Sequence, residues 1–222
     1  MTGKMRILKT CSLFLATLLV VRPVVGEVVL EDGFDDGDFT NNPTWVTAQP
    51  EFYTVENGEL KVLNGGTKAP ISVKLGKPLT GPVEVAFEIR NEKASGDGHW
   101  VMISLVDSET GAGYSVAGCN LETMFGHGEN ASGMGWGGYG EISRAGVPGV
   151  SLNKNTDVQE VKVRFNPEDQ KLTVERDGEV VLEDFGNDHV TRIDQVEFRV
   201  SGYPNGPNRL IDNVRISSGP AE

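Results

Sequence analysis

Cysteine is nearly absent. Cys11 and Cys119 are the two in 222 residues. Cys11 falls in an N-terminal leader, so the chain beyond it holds Cys119 alone and forms no internal disulfide. Stability must then rest on an ordinary apolar core, which a chain of this length can bury as one domain. Histidine is scarce too: His127 has no second histidine or cysteine at ligand spacing, which argues against zinc. Positive charge is in deficit, with Lys+Arg 20 against Asp+Glu 32 and a formal net charge of −12. Such a surface neither wraps nucleic acid nor settles on an anionic membrane. It suits a soluble exported protein, or one that takes up divalent cations. Beyond the leader there is no apolar run of membrane length and no helical period, so neither a spanning helix nor a bundle is expected.

The leader itself is distinct. Lys4, Arg6 and Lys9 precede an apolar run from Cys11 to Val21, broken only by Ser12 and Thr17, and Val24-Val25-Gly26 ends in a small residue before Glu27. This is the pattern of a secretory signal peptide cleaved near Gly26, which predicts a secreted or periplasmic protein and a single domain over 27–222. Losing Lys4, Arg6, Lys9 and Arg22 with no acid moves the formal charge from −12 to −16.

A two-residue rhythm organises the rest of the chain. Val83, Val85, Phe87 and Ile89 alternate with Glu84, Ala86, Glu88 and Arg90, and Val101, Ile103 and Leu105 alternate with Trp100, Met102 and Ser104. Half-buried antiparallel strands have this signature. Taken as one pair joined by the polar turn Asn91–Gly98, they place Glu88, Arg90, Trp100 and Met102 together on the face turned from the core, a plausible floor for a sugar cleft. Asn57-Gly58 and Asp177-Gly178 each sit between alternating segments and predict tight type I′ hairpins. Their registers put Val55 opposite Leu60, Tyr53 opposite Val62, and Arg176 opposite Glu179. A weaker strand over Lys68–Leu75 is expected to end at Gly76 and Pro78. About a dozen short strands with no helices point to a β-sandwich.

One segment breaks the rhythm. From Cys119 to Gly138 glycines alternate with Met124, Phe125, His127, Asn130, Met134 and Trp136. A loop of about twenty residues in a compact domain is usually functional or disordered. Trp136 and Tyr139, with Trp100, offer rings for stacking on sugar faces, while His127, Asn130 and Arg90 offer hydrogen bonds. Asn130-Ala131-Ser132 also matches a glycosylation sequon, relevant only in a eukaryotic secretory route.

Several pieces in this order resemble a known family. They are the acidic Phe34-Asp35-Asp36-Gly37-Asp38 opening with Trp45 after it, the Asn57-Gly58 hairpin, the Glu175-Arg176-Asp177-Gly178-Glu179 hairpin, and the terminal Ile211-Asp212-Asn213-Val214-Arg215. Together they are similar to the concanavalin A-like lectin/glucanase jelly rolls. That resemblance implies an all-β, two-sheet antiparallel sandwich of six or seven strands per sheet, with a ligand on the concave sheet. It also implies that the first and last strands lie side by side, bringing Phe34–Asp38 near Asp212. Relatives of this kind often hold a structural calcium where the chain ends meet, and Asp35, Asp36, Asp38 and Asp212 offer the hard oxygen ligands that calcium prefers.

For catalysis the signals are thinner. The Glu-x-Asp-x-x-Glu strand of laminarinase-type relatives has no counterpart here. Glu84, Glu88 and Glu92 stand ~13 Å apart in steps of four along an extended strand, beyond the ~5 Å and ~6.5–9.5 Å separations of retaining and inverting glycosidases. Glu141 is the candidate partner that could approach across the sheet. Glu88-Ile89-Arg90 resembles the Glu-Phe-Arg strand end of the 3-keto-disaccharide hydrolase domain, although the Asn-Ser-Gly turn that comes after it there is missing. The sequence therefore predicts an exported, non-catalytic jelly roll that binds a polysaccharide or glycan. A glycoside-cleaving enzyme built on Glu88, Arg90 and Glu141, and an adhesive surface domain, are the alternatives.

Overall fold

Alternating residues fold as strands through most of the chain. The computed structural model describes residues 26–63, 69–94, 99–110, 113–119, 149–151, 156–186, 190–202 and 206–219. Its first half contains β1 (Glu27–Asp32), β2 (Trp45–Thr47), β3 (Tyr53–Glu56), β4 (Glu59–Val62), β5 (Ile71–Leu79), β6 (Val83–Asn91) and β7 (His99–Val106). The second half contains β8 (Gly113–Cys119), β9 (Gly149–Ser151), β10 (Gln159–Asn166), β11 (Lys171–Arg176), β12 (Glu179–Gly186), β13 (Ile193–Gly202) and β14 (Arg209–Ser218). A single 3₁₀ turn, Pro50–Phe52, is the one helical piece among the described residues.

Two sheets result. The first is eight-stranded and runs β12-β11-β10-β6-β14-β4-β3, with β1 paired to β14; the second is six-stranded and runs β2-β5-β13-β7-β8-β9. The described pairings are antiparallel apart from β8 with β9. This is the two-sheet antiparallel β-sandwich that the sequence predicts, and β1 lies beside β14 as the resemblance implies.

Both predicted hairpins form in the predicted register. Asn57 and Gly58 adopt φ of 55° and 78°, and Asp177 and Gly178 adopt 53° and 79°, the paired left-handed conformations of a type I′ turn. Val55 faces Leu60, Tyr53 faces Val62, and Arg176 faces Glu179. β5 runs past Gly76 and Pro78 to Leu79. β2 covers only Ile71–Val73 on one flank, and a proline missing its donor is tolerated on such an edge.

The pairing of β6 with β7 does not form. β6 lies between β10 and β14 in the first sheet, and β7 lies between β13 and β8 in the second. The link between them crosses from one sheet to the other instead of folding back as a hairpin. The apolar sets of the two strands therefore face each other across the core, and their polar sets point in opposite directions. Glu88 and Arg90 consequently belong to a different sheet from Trp100 and Met102.

Between the sheets, Val85, Phe87, Ile89, Val163, Phe165, Leu172, Val174, Ile211 and Ile216 pack from one side, and Ile71, Val73, Val101, Ile103, Leu105, Val196 and Phe198 from the other, all buried. Phe198 is the hub. Its ring meets Phe87 of the opposite sheet edge-on at 5.0 Å between centroids and Trp45 at 5.8 Å. Phe34 extends the chain of rings, 6.0 Å from Trp45.

β14 changes partner midway. Arg209–Ile211 pair with β4, while Val214–Ser218 pair with β1. Between them the register against β6 slips by one residue, and Asn213 takes φ 49°. An extra residue of this kind keeps the inward and outward sets in phase on either side of it. The bulge leaves Asp212 at the seam where β1, the β3–β4 turn and β14 converge.

Candidate functional site

Two outward faces are available, and they differ in chemistry. On the first sheet, carboxylates and cations interlock. Arg164 bridges Glu84 at 2.7 Å and Glu175, Lys162 holds Glu160 at 2.9 Å, and Lys61 bridges Glu56 at 2.9 Å and Glu92 at 2.7 Å. Arg90 directs its fork at Glu59, with Nε donating to Oε1 at 2.7 Å. Glu88 sits in a row of acids, directly opposite Asp212 on one neighbouring strand and Glu160 on the other. Exposed ion pairs of this type contribute little each, and the face reads as a solvated, charge-matched surface.

The seam at the chain ends is more strongly acidic. A methyl group placed on Gly33 would lie 3.5 Å from Asp35 Oδ2, 3.6 Å from Asn213 Oδ1 and 4.0 Å from Asp212 Oδ1, so three side-chain oxygens converge there. Asp38 does not join them: its carboxylate accepts from Thr40 N at 2.7 Å, Thr40 Oγ1 at 2.8 Å and Asn41 Nδ2 at 2.6 Å, closing its own turn. Those bonds hold the Asp38 carboxyl below the usual carboxylate range. Among the described residues no group of three or more His, Cys, Asp or Glu is arranged to hold a metal ion.

Burial pushes the Asp212 carboxyl up, and the charges of Glu88, Glu59 and Asp35 add to the effect against the stabilising N–H of Asn213. Because its folded-state pKa lies above the unfolded value, ionised Asp212 costs stability at neutral pH, and that cost fades as pH falls through the folded-state pKa. Glu88→Gln removes one repelling charge, so the Asp212 carboxyl should titrate at lower pH. Carbon-detected NMR titration of the side-chain carboxyls reads this directly. An unchanged Asp212 midpoint would contradict it.

The outer face of the second sheet is built differently. Glu197 on β13 stands directly opposite Ser72 on β5 and Ser104 on β7, and Ser104 opposite Ser115 on β8. This row of one acid and three serine positions runs across four strands. At ~4.8 Å per strand it is ~14 Å long. Longer side chains flank it: Lys74, Gln195 and Val106 in the row on one side, Arg199 and position 102 in the row on the other. The row lies along the middle of this face. Ser104 is 1% exposed and Glu197 8% exposed, so both are buried although they alternate with the core set Ile103, Leu105, Val196 and Phe198. Gln195 Nε2 donates to Glu197 Oε1 at 2.6 Å and fixes the carboxylate in place.

Trp100 takes the register position two rows along from Ser104 on β7, opposite Ser201 and Cys119. It belongs to the second sheet, separate from Glu88 and Arg90. Trp136, Tyr139, His127, Asn130 and Glu141 lie outside the described residues. The segment that carries them leaves the second sheet at Cys119 and returns to the same edge at Gly149, where β8 and β9 pair. Sequence reasoning missed Glu197, Gln195 and Arg199. The signal was present: Gln195-x-Glu197-x-Arg199 interleaves with Val196, Phe198 and Val200, a wholly polar and functionalised outer set on a central strand.

No protein-family model and no curated protein matches the chain. Solved structures do. The carbohydrate recognition domain of Emp46p in its potassium-bound form superimposes with a TM-score of 0.58 at 10% identity, over 87% of this chain and 97% of that one. The corresponding domain of Emp47p gives 0.57 at 13% identity, over 86% and 94%. Cip1, a cellulose-induced protein, gives 0.52 at 17% identity, over 85% and 97%. At these identities the likeness is one of fold, and the chain has the concanavalin A-like jelly-roll fold.

Proposed function

We propose that this protein is an exported glycan-binding module that recognises a polysaccharide on the outer face of the second sheet, without cleaving it. One observation carries the reading: a row of polar residues, Glu197 and Ser104 at its centre, crosses four strands on a sheet face turned away from the core. A few well-placed donors and acceptors of this kind fix the orientation of a hydroxyl-rich ligand. Trp100 at one end, and Trp136, Tyr139, His127 and Asn130 from the segment tethered to the same edge, supply stacking and further hydrogen bonds. Two of the structural neighbours are themselves described as carbohydrate recognition domains, which supports the reading. Arg90's engagement with Glu59 favours binding over a reading in which Glu88 and Arg90 act with Glu141 on a glycosidic bond. The leader ending near Gly26 directs the protein out of the cytoplasm.

Alanine at Glu197 removes the central acceptor of the polar row. On a glycan array, Glu197→Ala should lower the affinity for the bound glycan about ten-fold or more, the size of one charge-assisted hydrogen bond. Glu88→Ala on the other face should leave it unchanged. The opposite pattern would move the site to the first sheet.

Calcium at the seam belongs to the same proposal. Asp35 and Asp212, with the Asn213 amide oxygen and neighbouring backbone carbonyls, form a hard-oxygen set suited to it. Asp38 is left out of that set by its own turn. Emp46p domains are described in potassium-bound and metal-free forms, which supports metal binding within this fold. Millimolar calcium should raise the melting temperature by several degrees, as a ligand selective for the folded state does, and Asp212→Asn should abolish the rise. A melting temperature insensitive to calcium and chelator would remove the site.

A further inference from the structure

We infer that the leader is removed only from a chain that has not yet folded, because folding seals the bond between Gly26 and Glu27. The inference rests on the leader reading, and it comes from the way β1 begins. Glu27 is already paired with Ser218 of β14. Gly26, half-buried, packs on the same residue so closely that a methyl group there would overlap the Ser218 carbonyl oxygen and lie 2.8 Å from its carbon and 3.2 Å from Gly219 Cα. A glycine in a strand often marks such a close approach of two backbones, and only a residue without Cβ fits this seat.

Ser218 and Gly219 have no room to retreat. On the far side Ser218 pairs with Val83 of β6, and Gly219 N donates to Pro82 O at 2.6 Å. A methyl group on Gly219 would come within 2.9 Å of Pro82 Cβ. A peptidase that reads a small residue just before the scissile bond must take that residue and its neighbours, in extended form, into its own cleft. That backbone is withheld until β1 peels from β14, a local opening that a strand paired along its length makes only rarely. The hydrolysis itself asks nothing unusual: water adds to the Gly26 carbonyl, the C–N bond to Glu27 breaks, and a Gly26 carboxylate and a Glu27 ammonium result. What the fold controls is access. β14, Arg209–Ser218, is the last strand in chain order, so the bond stays open to the peptidase during synthesis and export and is shut off when β14 docks.

Cell-free synthesis of the full chain with purified signal peptidase tests the inference, the enzyme being present from the start or added once the chain has folded, with mass spectrometry of the N-terminus as the readout. The expected result is a chain beginning at Glu27 in the first arrangement and cleavage at least about ten-fold slower in the second, where the rate follows the small population of locally opened molecules. Gly26→Ala keeps a small residue for the peptidase, so during synthesis it should be cut as well as the wild type. Once folded, its methyl group holds the start of β1 off Ser218, and it should be cut at least about ten-fold faster than the folded wild type. Equal cleavage of the nascent and the folded wild-type chain would leave the leader reading intact and overturn the seal. A folded Gly26→Ala chain as resistant as the folded wild type would overturn it too, since the contact with Ser218 would not be its cause. No cleavage in either arrangement would overturn the leader reading and this inference with it.

Discussion

Phe198→Ala should lower the unfolding free energy by about 3–5 kcal/mol, the range for a large aromatic truncated in a packed core. The ring is 0% exposed and is the junction between the sheets, meeting Phe87 at 5.0 Å and Trp45 at 5.8 Å. Cys119 is the one cysteine among the described residues, so no disulfide between them supplements this core, and the loss falls on a stability that is typically only about 5–15 kcal/mol in total. Urea unfolding measures the change. The conservative Phe198→Leu should recover more than half of it. A loss below about 1 kcal/mol for the alanine variant would mean that the sheets are not held together through this ring.

Asp32→Ala should be nearly as damaging, by about 2–4 kcal/mol, for a different reason. The Asp32 carboxylate accepts from Phe34 N at 2.8 Å and from the Trp45 indole Nε1 at 2.7 Å, and all three residues are buried. Alanine leaves both donors without an acceptor, at ~1–3 kcal/mol each, less the relief of a desolvated charge. Burial pushes the Asp32 carboxyl up, more than those two bonds pull it down. The folded-state pKa thus exceeds the unfolded one, and the wild-type protein gains from this group as pH falls through the folded-state value. The variant lacks that gain, so the stability gap should be wider in mild acid than at neutral pH. A gap that narrows in acid would contradict the raised pKa. Asp32→Asn should also destabilise, because its amide presents a donor to one of the two N–H groups.

Parts of this fold were legible in the sequence. Alternation identified the inward sets of β6 and β7, and the Asn57-Gly58 and Asp177-Gly178 turns fixed their hairpins to the residue, because a type I′ turn is decided by two local φ angles. The choice of sheet was not local. β6 and β7 each bury one face, and a polar link fits a crossover as well as a hairpin, so periodicity alone could not divide Glu88 and Arg90 from Trp100 and Met102. The same ambiguity hid the polar row of the second sheet. Gln195, Glu197 and Arg199 look like an ordinary solvated face until Ser72 and Ser104 are set beside them from strands distant in the chain. At the chain ends, the approach of Asp35 to Asp212 comes from β1 lying beside β14. The withdrawal of Asp38 into its own turn depends on Thr40 and Asn41, residues common in turns and not distinctive in a sequence.

Everything functional turns on which face meets the ligand, and an amide chemical-shift titration of the isotope-labelled protein with bound oligosaccharide decides it. The account predicts perturbations concentrated on Ser72–Lys74 of β5, Gln195–Arg199 of β13 and Trp100–Ser104 of β7, with β6, β10 and the outer residues of β14 silent. Shifts centred on Glu84–Arg90 and Glu160–Arg164, with the second sheet unmoved, would contradict it.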